Sequence, residues 1–169
     1  GIAERLSDTQ LILVCGHNQA LTQRLRAQPS AARHVVVGFS TDIPAWMRLA
    51  DFLIGKPGPG SVSEAVQMGL PVIVVDNAWT MPQERYNAEW VRAHGLGIVL
   101  GGFRSVDTAV ALLLDDLDAF KVRVGRMRNR ALFEVPEILA GLLPERQSAE
   151  DGVSAMPGGF AARGAMLHP

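Results

Sequence analysis

The chain has 169 residues, enough for a domain with a substantial core, and its 48% hydrophobic and 20% charged composition is that of a globular protein. Its net charge of −1, without a long basic run, argues against nucleic acid as a partner. The single cysteine, Cys15, excludes a disulfide framework and a site built from several thiolates. No basic segment followed by an apolar one opens the chain, so we expect a cytoplasmic protein without a signal peptide.

Short apolar segments alternate with amphipathic ones along the chain. The apolar segments predict strands at residues 11–14, 34–37, 52–54, 72–75 and 97–100. Helical spacing of apolar residues predicts helices at residues 20–27, 43–50, 61–68, 82–94, 105–114, 116–129 and 136–143. The strands show no polar alternation, which is typical of strands covered on both faces. This order predicts an α/β fold in which a Rossmann-like, mostly parallel sheet is flanked by helices.

The two ends of the chain differ in character from its middle. Residues 1–6 have the pattern of the tail of a helix rather than of a true start. From residue 144 to residue 169, Gly, Ala, Ser and Pro prevail without periodicity, which predicts a low-complexity and poorly ordered tail. We therefore expect one domain over residues 1–143.

One loop is more distinctive than the others at the carboxyl ends of the strands, where parallel α/β sheets bind their ligands. It runs Gly-Lys-Pro-Gly-Pro-Gly over residues 55–60 and leads directly into a helix. Free amides at a helix start, the helix dipole and glycines that allow close approach suit a phosphate group. Pro57 and Pro59 reduce the entropy lost when such a loop is held in one shape. The alternative is an ordinary strand-to-helix turn.

The loop does not match the two commonest phosphate-binding motifs. A Walker loop ends in Gly-Lys-Ser/Thr, whereas Lys56 precedes the glycines, so hydrolysis of a nucleoside triphosphate is not supported. The dinucleotide motif is matched by Gly58 and Gly60, but Ser63 stands where its third glycine belongs. Asp76, at the end of the next strand, is in a position to bind a ribose, so a dinucleotide ligand stays an alternative.

Glu64 lies one turn into the helix that follows the loop. A carboxylate near a phosphate site repels the anion unless it has another task, such as accepting hydrogen bonds from the two hydroxyls of a ribose. Ser61 and Glu64 also have the spacing of a capping box, which requires no ligand. Both interpretations remain open from the local sequence.

An ordered series of motifs extends beyond the loop: Gly38-Phe39, Trp46-Met47, Ala50-Asp51, the stretch 56–61 with Glu64-Ala65, Gly69-Leu70-Pro71, and Pro82-Gln83-Glu84 with Asn87. Over about residues 11–100 the series resembles the C-terminal domain of the monogalactosyldiacylglycerol synthase and MurG-type glycosyltransferases, glycosyltransferase family 28. The resemblance implies the C-terminal, donor-binding half of a two-domain GT-B fold. It further implies an enzyme that transfers a hexose from a UDP-sugar to a lipid acceptor with inversion, and so a role in glycolipid biosynthesis.

The resemblance also implies where the UDP part of the donor binds. Phe39 and its neighbours are expected to contact the uracil, largely through their backbone. The residues expected to face the diphosphate are Gly58, Pro59, Gly60 and Ser61.

The sugars of the donor are assigned in the same way. Glu64 is expected to bind the ribose diol, while Gln83 and Glu84 bind hydroxyls of the hexose; without a ligand, both are ordinary exposed residues of a first helical turn. Asn87 lies one turn further on and either orients that pair or is solvated. Trp79 lies in the preceding loop and is either a lid over the ligand or a packing residue. These residues do not distinguish galactose, glucose and GlcNAc.

Amides and the helix dipole are sufficient to stabilise a leaving UDP, so no metal ion is expected to be required. In the family, a preceding domain binds the acceptor and supplies the general base, and the C-terminal domain normally opens with a further strand and glycine-rich loop. Neither is recognisable here, so we expect no catalytic residue in this chain and no activity from it alone. A preceding domain or a separate partner chain is expected to complete the enzyme, with peripheral association at the cytoplasmic face of a membrane.

Two further functions stay open. One is a non-catalytic nucleotide-binding or assembly module. The other is a UDP-sugar epimerase of the same fold, which needs its own acid and base across the cleft; the sequence identifies neither.

Overall fold

The computed structural model describes residues 9–28, 33–127 and 131–142. Their strands are β1 (Leu11–Val14), β2 (His34–Val37), β3 (Leu53–Gly55), β4 (Val72–Val75) and β5 (Gly97–Leu100). Their helices are α1 (Gln19–Ala27), α2 (Ile43–Arg48), α3 (Pro59–Gln67), α4 (Pro82–Ala93), α5 (Val106–Asp115), α6 (Leu117–Gly125) and α7 (Ala131–Leu142). A short 3-10 turn, Phe103–Ser105, precedes α5.

The predicted alternation of strands and helices is confirmed, with shifts at some boundaries. Four strands have the predicted bounds, and β3 begins one residue later than expected. Helix α3 begins at Pro59 rather than at residue 61. Proline suits the first helical position, because the backbone N–H there makes no hydrogen bond within the helix. Helix α7 begins at Ala131, so Pro136 lies inside it. The predicted helix tail at residues 1–6 lies outside the described residues.

All strand pairs are parallel, but the strands form two sheets where the sequence predicted one. Strands β1 and β2 pair with Leu11 opposite His34. The second sheet has the order β3–β4–β5. Within the described ranges no hydrogen-bonded ladder joins the two sheets. Strands β2 and β3 are consecutive in the chain, but they do not pair. Among the described residues, β1, β2, β3 and β5 each pair with a strand on one edge only.

The core is centred on β4, whose four residues are all buried. On one face, Val72 and Val74 pack in a cluster with buried residues of α3 and α4. On the other face, Ile73 packs against α5. The pairing of β4 with β5 is so close at Gly97 that an added Cβ would lie 1.7 Å from the Val72 carbonyl oxygen. Helices thus cover both faces of this sheet, as predicted for an α/β fold.

Local capping explains several helix boundaries. The Asn18 carboxamide oxygen accepts a hydrogen bond from the Leu21 amide at 3.0 Å, and an Asp42 carboxylate oxygen accepts one from the Ala45 amide at 3.0 Å. After α3 and α4 the chain turns at Gly69 and Gly95, whose φ angles of 75° and 62° favour glycine. These helix ends are therefore set by residues within one turn of them.

The chain divides into two compact units, Gly1–Asn129 and Arg130–Pro169. The first unit contains both sheets and the helices α1 to α6. In the second unit the described residues form α7. The predicted tail, residues 144–169, lies outside the described residues, so the boundary at residue 143 stays a prediction. None of the described helices has the length and hydropathy to span a membrane.

Candidate functional site

The glycine loop joins β3 to α3 and leaves the start of that helix without a side-chain cap. Gly58 is the N-cap residue, with an extended backbone of φ −64° and ψ 139°. Glycine has no side chain, so the N-cap residue accepts no hydrogen bond from an amide of the first turn. The Val62 amide donates to the Gly58 carbonyl at 3.0 Å and begins the helical ladder. The amides ahead of Val62 in the first turn have no acceptor within the helix, which is the arrangement that binds anions.

The position of the N-cap rules out the capping box. Because Gly58 is the N-cap, Ser61 is the third residue of α3 and Glu64 the sixth. Ser61 therefore cannot cap the helix, and Glu64 is too far along it to reach the cap. Glu64 is an exposed residue of the second turn. The capping-box interpretation is wrong, while the ribose interpretation stays a prediction.

Helix α4 contacts the glycine loop through Asn87. The Asn87 side-chain nitrogen donates a hydrogen bond to the Pro57 carbonyl oxygen at 2.8 Å, across 30 residues of sequence. Asn87 is half-buried, and Pro57 is among the fully buried residues. Of the alternatives for Asn87, solvation is therefore wrong. Its amide contacts the loop backbone, and a role in orienting Gln83 and Glu84 stays a prediction.

Glu84 also approaches the loop from α4. A Cβ added to Gly58 would lie 3.8 Å from Glu84 Oε1 and 3.9 Å from Ser61 Oγ, so these three residues lie together. Glu84 is half-buried, and its charge is favourable beside the positive end of the α3 dipole. Gln83 is exposed, and its side-chain amide lies 3.4 Å from the sulfur of Met81. Of the predicted hexose pair, Glu84 is the member that lies at the loop.

The loop between β4 and α4 is held by its own side chains. The Thr80 hydroxyl accepts a hydrogen bond from the Asn77 amide at 2.9 Å and lies 3.4 Å from the Val75 carbonyl oxygen. The Asn77 carboxamide oxygen accepts one from the Trp79 amide at 2.9 Å. These bonds present the Trp79 side chain to solvent, 93% exposed, three residues before α4.

Phe39 lies in a different part of the first unit, just after β2. Its ring stacks on the His17 imidazole, with centroids 4.0 Å apart and planes inclined by 19°. Both side chains are exposed. The sequence did not predict this contact. The available signal was that each residue follows the carboxyl end of a strand and that the two strands are neighbours.

The structure thus brings together one part of the predicted site. Gly58, Ser61, Glu84 and the Asn87–Pro57 contact are assembled at the start of α3. No hydrogen bond or ring contact of the described residues links Phe39 to this group. Among these residues, no cluster of three or more His, Cys, Asp or Glu side chains is arranged to hold a metal ion.

The family of the chain follows from comparison with known proteins. The family model for the glycosyltransferase family 28 C-terminal domain matches residues 2–137. The chain belongs to this family. The match covers the motifs from Phe39 to Asn87 and confirms the resemblance seen in the sequence.

The relatives of this family 28 domain include enzymes of glycolipid synthesis. Monogalactosyldiacylglycerol synthase 3 of Arabidopsis thaliana is 32% identical over 123 residues, which are 73% of this chain and 25% of the relative. A probable monogalactosyldiacylglycerol synthase 3 of Oryza sativa is 36% identical over 124 residues, which are 73% of this chain and 23% of the relative. A processive diacylglycerol beta-glucosyltransferase of Staphylococcus carnosus is 28% identical over 129 residues, which are 76% of this chain and 32% of the relative. The family 28 domain therefore spans about a quarter to a third of these relatives.

Proposed function

We propose that this chain is the donor-binding domain of an inverting glycosyltransferase that transfers a hexose from a UDP-sugar to a lipid acceptor. The observation that carries the proposal is the uncapped start of α3, where a glycine loop tied to α4 by Asn87 meets the side chains of Ser61 and Glu84. Family membership supports the transferase class, and the three relatives above support a diacylglycerol-type acceptor.

The diphosphate of the donor binds at the start of α3 in this proposal. Gly58, Pro59, Gly60 and Ser61 form the turn around it. The backbone amides at Gly60 and Ser61 donate to phosphate oxygens, and the helix dipole adds positive potential. Pro59 has no amide to offer, but it fixes the first helical residue in the required conformation. The same groups stabilise the negative charge of the leaving UDP, so the proposed chemistry needs no metal ion.

The remaining parts of the donor are bound by side chains around this turn. Glu64, exposed in the second turn of α3, accepts hydrogen bonds from the ribose hydroxyls. Glu84, beside Gly58, accepts from a hexose hydroxyl, and Gln83 joins it by rotating away from Met81. Asn87 holds the loop through its hydrogen bond to the Pro57 carbonyl. The backbone around Phe39, at the end of β2, contacts the uracil.

We propose that the general base and the acceptor site belong to an N-terminal domain or to a partner chain, so this chain has no transferase activity alone. The complete enzyme is proposed to act at the cytoplasmic face of a membrane.

We also propose that a further parallel strand lies between β1 and β3. All four residues of β1 are apolar, as in interior strands, yet among the strands that the structure describes β1 pairs only with β2. Slow amide exchange along β1 in a longer chain, and fast exchange in this one, would support that strand.

The direct test of donor binding is titration of this chain with UDP, UDP-galactose, UDP-GlcNAc and NAD. Calorimetry gives the affinities, and chemical-shift mapping gives the residues involved. We expect UDP and at least one UDP-hexose to bind, with the largest amide shifts at residues 58–64. Saturable NAD binding without a response to any uridine nucleotide would overturn the proposal. Binding of UDP without transfer, even when the N-terminal region is restored, would favour a non-catalytic module.

A further inference from the structure

We infer that Asn87 is a positioning residue: it sets the orientation of the Pro57–Gly58 peptide and so holds the glycine loop ready for an anion before the ligand arrives. The inference rests on the proposed function, because it assigns a role within the same donor site. It differs from a direct contact between Asn87 and the hexose. In this reading the partner of the Asn87 amide is the protein backbone.

Two side chains of α4 approach the glycine loop. Residues three apart share a helix face, and Glu84 and Asn87 both point at the glycine loop. Glu84 approaches Gly58, and Asn87 donates to the Pro57 carbonyl at 2.8 Å, a short distance for an N–H···O bond. One face of α4 therefore contacts two successive residues of the loop.

The geometry of the peptide group links the Pro57 carbonyl to the direction of the Gly58 N–H. In a trans peptide the C=O and N–H groups point in opposite directions, so fixing the Pro57 carbonyl also fixes the direction of the Gly58 N–H. A flip of this peptide would change ψ of Pro57 and φ of Gly58, and glycine tolerates almost any φ. The loop sequence alone therefore does not exclude the flipped peptide. The bond from Asn87 opposes the flip, since flipping removes its acceptor.

The burial of Pro57 also favours this hydrogen bond. Pro57 is fully buried, and a buried carbonyl group without a hydrogen-bond donor is costly. Proline offers no amide of its own, so this residue presents an acceptor only. The side chain of Asn87 meets that need and reaches the loop from a separate helix. The start of α3 and the helix that carries Glu84 are thereby held as one unit.

The consequence is a distinction between two kinds of ligand. A residue that positions the diphosphate loop affects UDP and UDP-hexose alike, because both contain the diphosphate. A residue that contacts only the hexose affects UDP-hexose and leaves UDP unchanged. The ratio of the two affinities therefore reports which role Asn87 has.

The test compares Asn87→Ala and Asn87→Gln with wild type by calorimetry with UDP and with UDP-galactose, or with whichever UDP-hexose binds. Asn87→Ala should weaken both ligands by the same factor, about 3- to 10-fold, the effect of one neutral hydrogen bond. Asn87→Gln keeps the amide but moves it by one methylene, so we expect a smaller common loss. Glu89→Ala, an exposed change on the same helix, is the matched control and should bind as wild type does.

A second readout is the free protein itself. In amide correlation spectra, Asn87→Ala should shift or broaden the Gly58 resonance without ligand, while Glu89→Ala should leave it unchanged. Loss of UDP-hexose affinity alone, or unchanged affinity for both ligands with an unchanged Gly58 resonance, would overturn the inference. If Asn87→Ala does not fold, Asn87→Gln carries the same comparison. Failure of the wild type to bind any uridine nucleotide would instead overturn the proposed function.

Discussion

The half of the first unit built on β3, β4 and β5 differs sharply from the half built on β1 and β2. Strand β4 is buried along its whole length between helices on both faces. In β1, by contrast, three residues are half-buried and Val14 is 48% exposed. The proposed diphosphate and hexose sites lie on the well-packed half, and the proposed uracil site lies on the other.

The comparison indicates that the two halves contribute differently to stability and binding. A sheet of two strands is marginal without further packing, whereas three strands between helices support a stable core. The proposed transfer needs precise geometry where charge would develop on the leaving diphosphate, and the half proposed to bind the diphosphate has the firmer support. The uracil region can tolerate a looser support, since backbone contacts to a base depend less on any one side chain.

The largest expected effect is that of Gly97→Ala. The new Cβ would lie 1.7 Å from the Val72 carbonyl oxygen, so β4 and β5 could not keep their pairing. We expect a loss of more than about 4 kcal/mol in the free energy of unfolding, which would leave the chain largely unfolded. Circular dichroism with urea titration measures it. Gly101→Ala, where an added Cβ meets nothing within 4 Å, is the control and should stay within about 0.5 kcal/mol of wild type.

The second prediction compares the two halves directly, through Ile73→Ala in β4 and Ile12→Ala in β1. Ile73 is fully buried, so its truncation should cost about 2–5 kcal/mol. Ile12 is half-buried, and its truncation should cost less than about 2 kcal/mol. Urea unfolding of both variants gives the difference. Equal costs would show that the β1–β2 half is as tightly packed as the other.

The third prediction concerns Glu64→Ala. If Glu64 binds the ribose, its loss should weaken UDP binding by about 1–3 kcal/mol, because charged hydrogen bonds to the diol are removed. The melting temperature should change little, since Glu64 is exposed and caps nothing. Gln67→Ala on the same helix is the control for a change in helix propensity. Unchanged UDP affinity in Glu64→Ala would remove Glu64 from the site.

A smaller effect is expected for Glu84→Gln. Removing this negative charge beside Gly58 should strengthen binding of UDP, whose diphosphate is itself negative, by about 0.3–1 kcal/mol. Binding of UDP-hexose should gain less, because a carboxylate is the better acceptor for a hexose hydroxyl. The affinity for UDP-hexose divided by the affinity for UDP, both measured by calorimetry, should therefore fall. A ratio that does not change would place Glu84 outside the hexose site.

The smallest effect is expected on the β1–β2 half. Phe39→Ala should weaken UDP by less than about 1 kcal/mol, because the proposed contacts to uracil come from the backbone, although the stacking with His17 is lost. His17→Ala should have a similar or smaller effect. A loss in Phe39→Ala larger than that in Glu64→Ala would reverse the comparison and make the ring itself the base-binding group.

The sequence predicted what depends on local pattern. Apolar segments such as 72–75 located the strands, because this signal lies within the strand itself. The separation into two sheets was not predicted, since pairing of parallel strands depends on contacts distant in sequence. The capping box failed because Pro59 starts α3 two residues early.

The same distinction applies to the candidate site. The glycine loop and Glu84 are recognisable from residue type and spacing. The bond between Asn87 and Pro57 spans 30 residues, and the stacking of His17 on Phe39 joins two strand ends. Neither contact leaves a local signal. The roles of Glu64, Gln83 and Phe39 toward a donor remain predictions.

The exposed indole of Trp79 gives the domain an internal fluorescent reporter. Trp46 and Trp90 are half-buried, whereas Trp79 projects 93% exposed from a turn held by Asn77 and Thr80. Iodide in solution should therefore quench Trp79 emission first. The fraction of light that iodide removes measures how open this turn is, and covering of the indole by a donor, an acceptor or another domain would be seen as protection from the quencher.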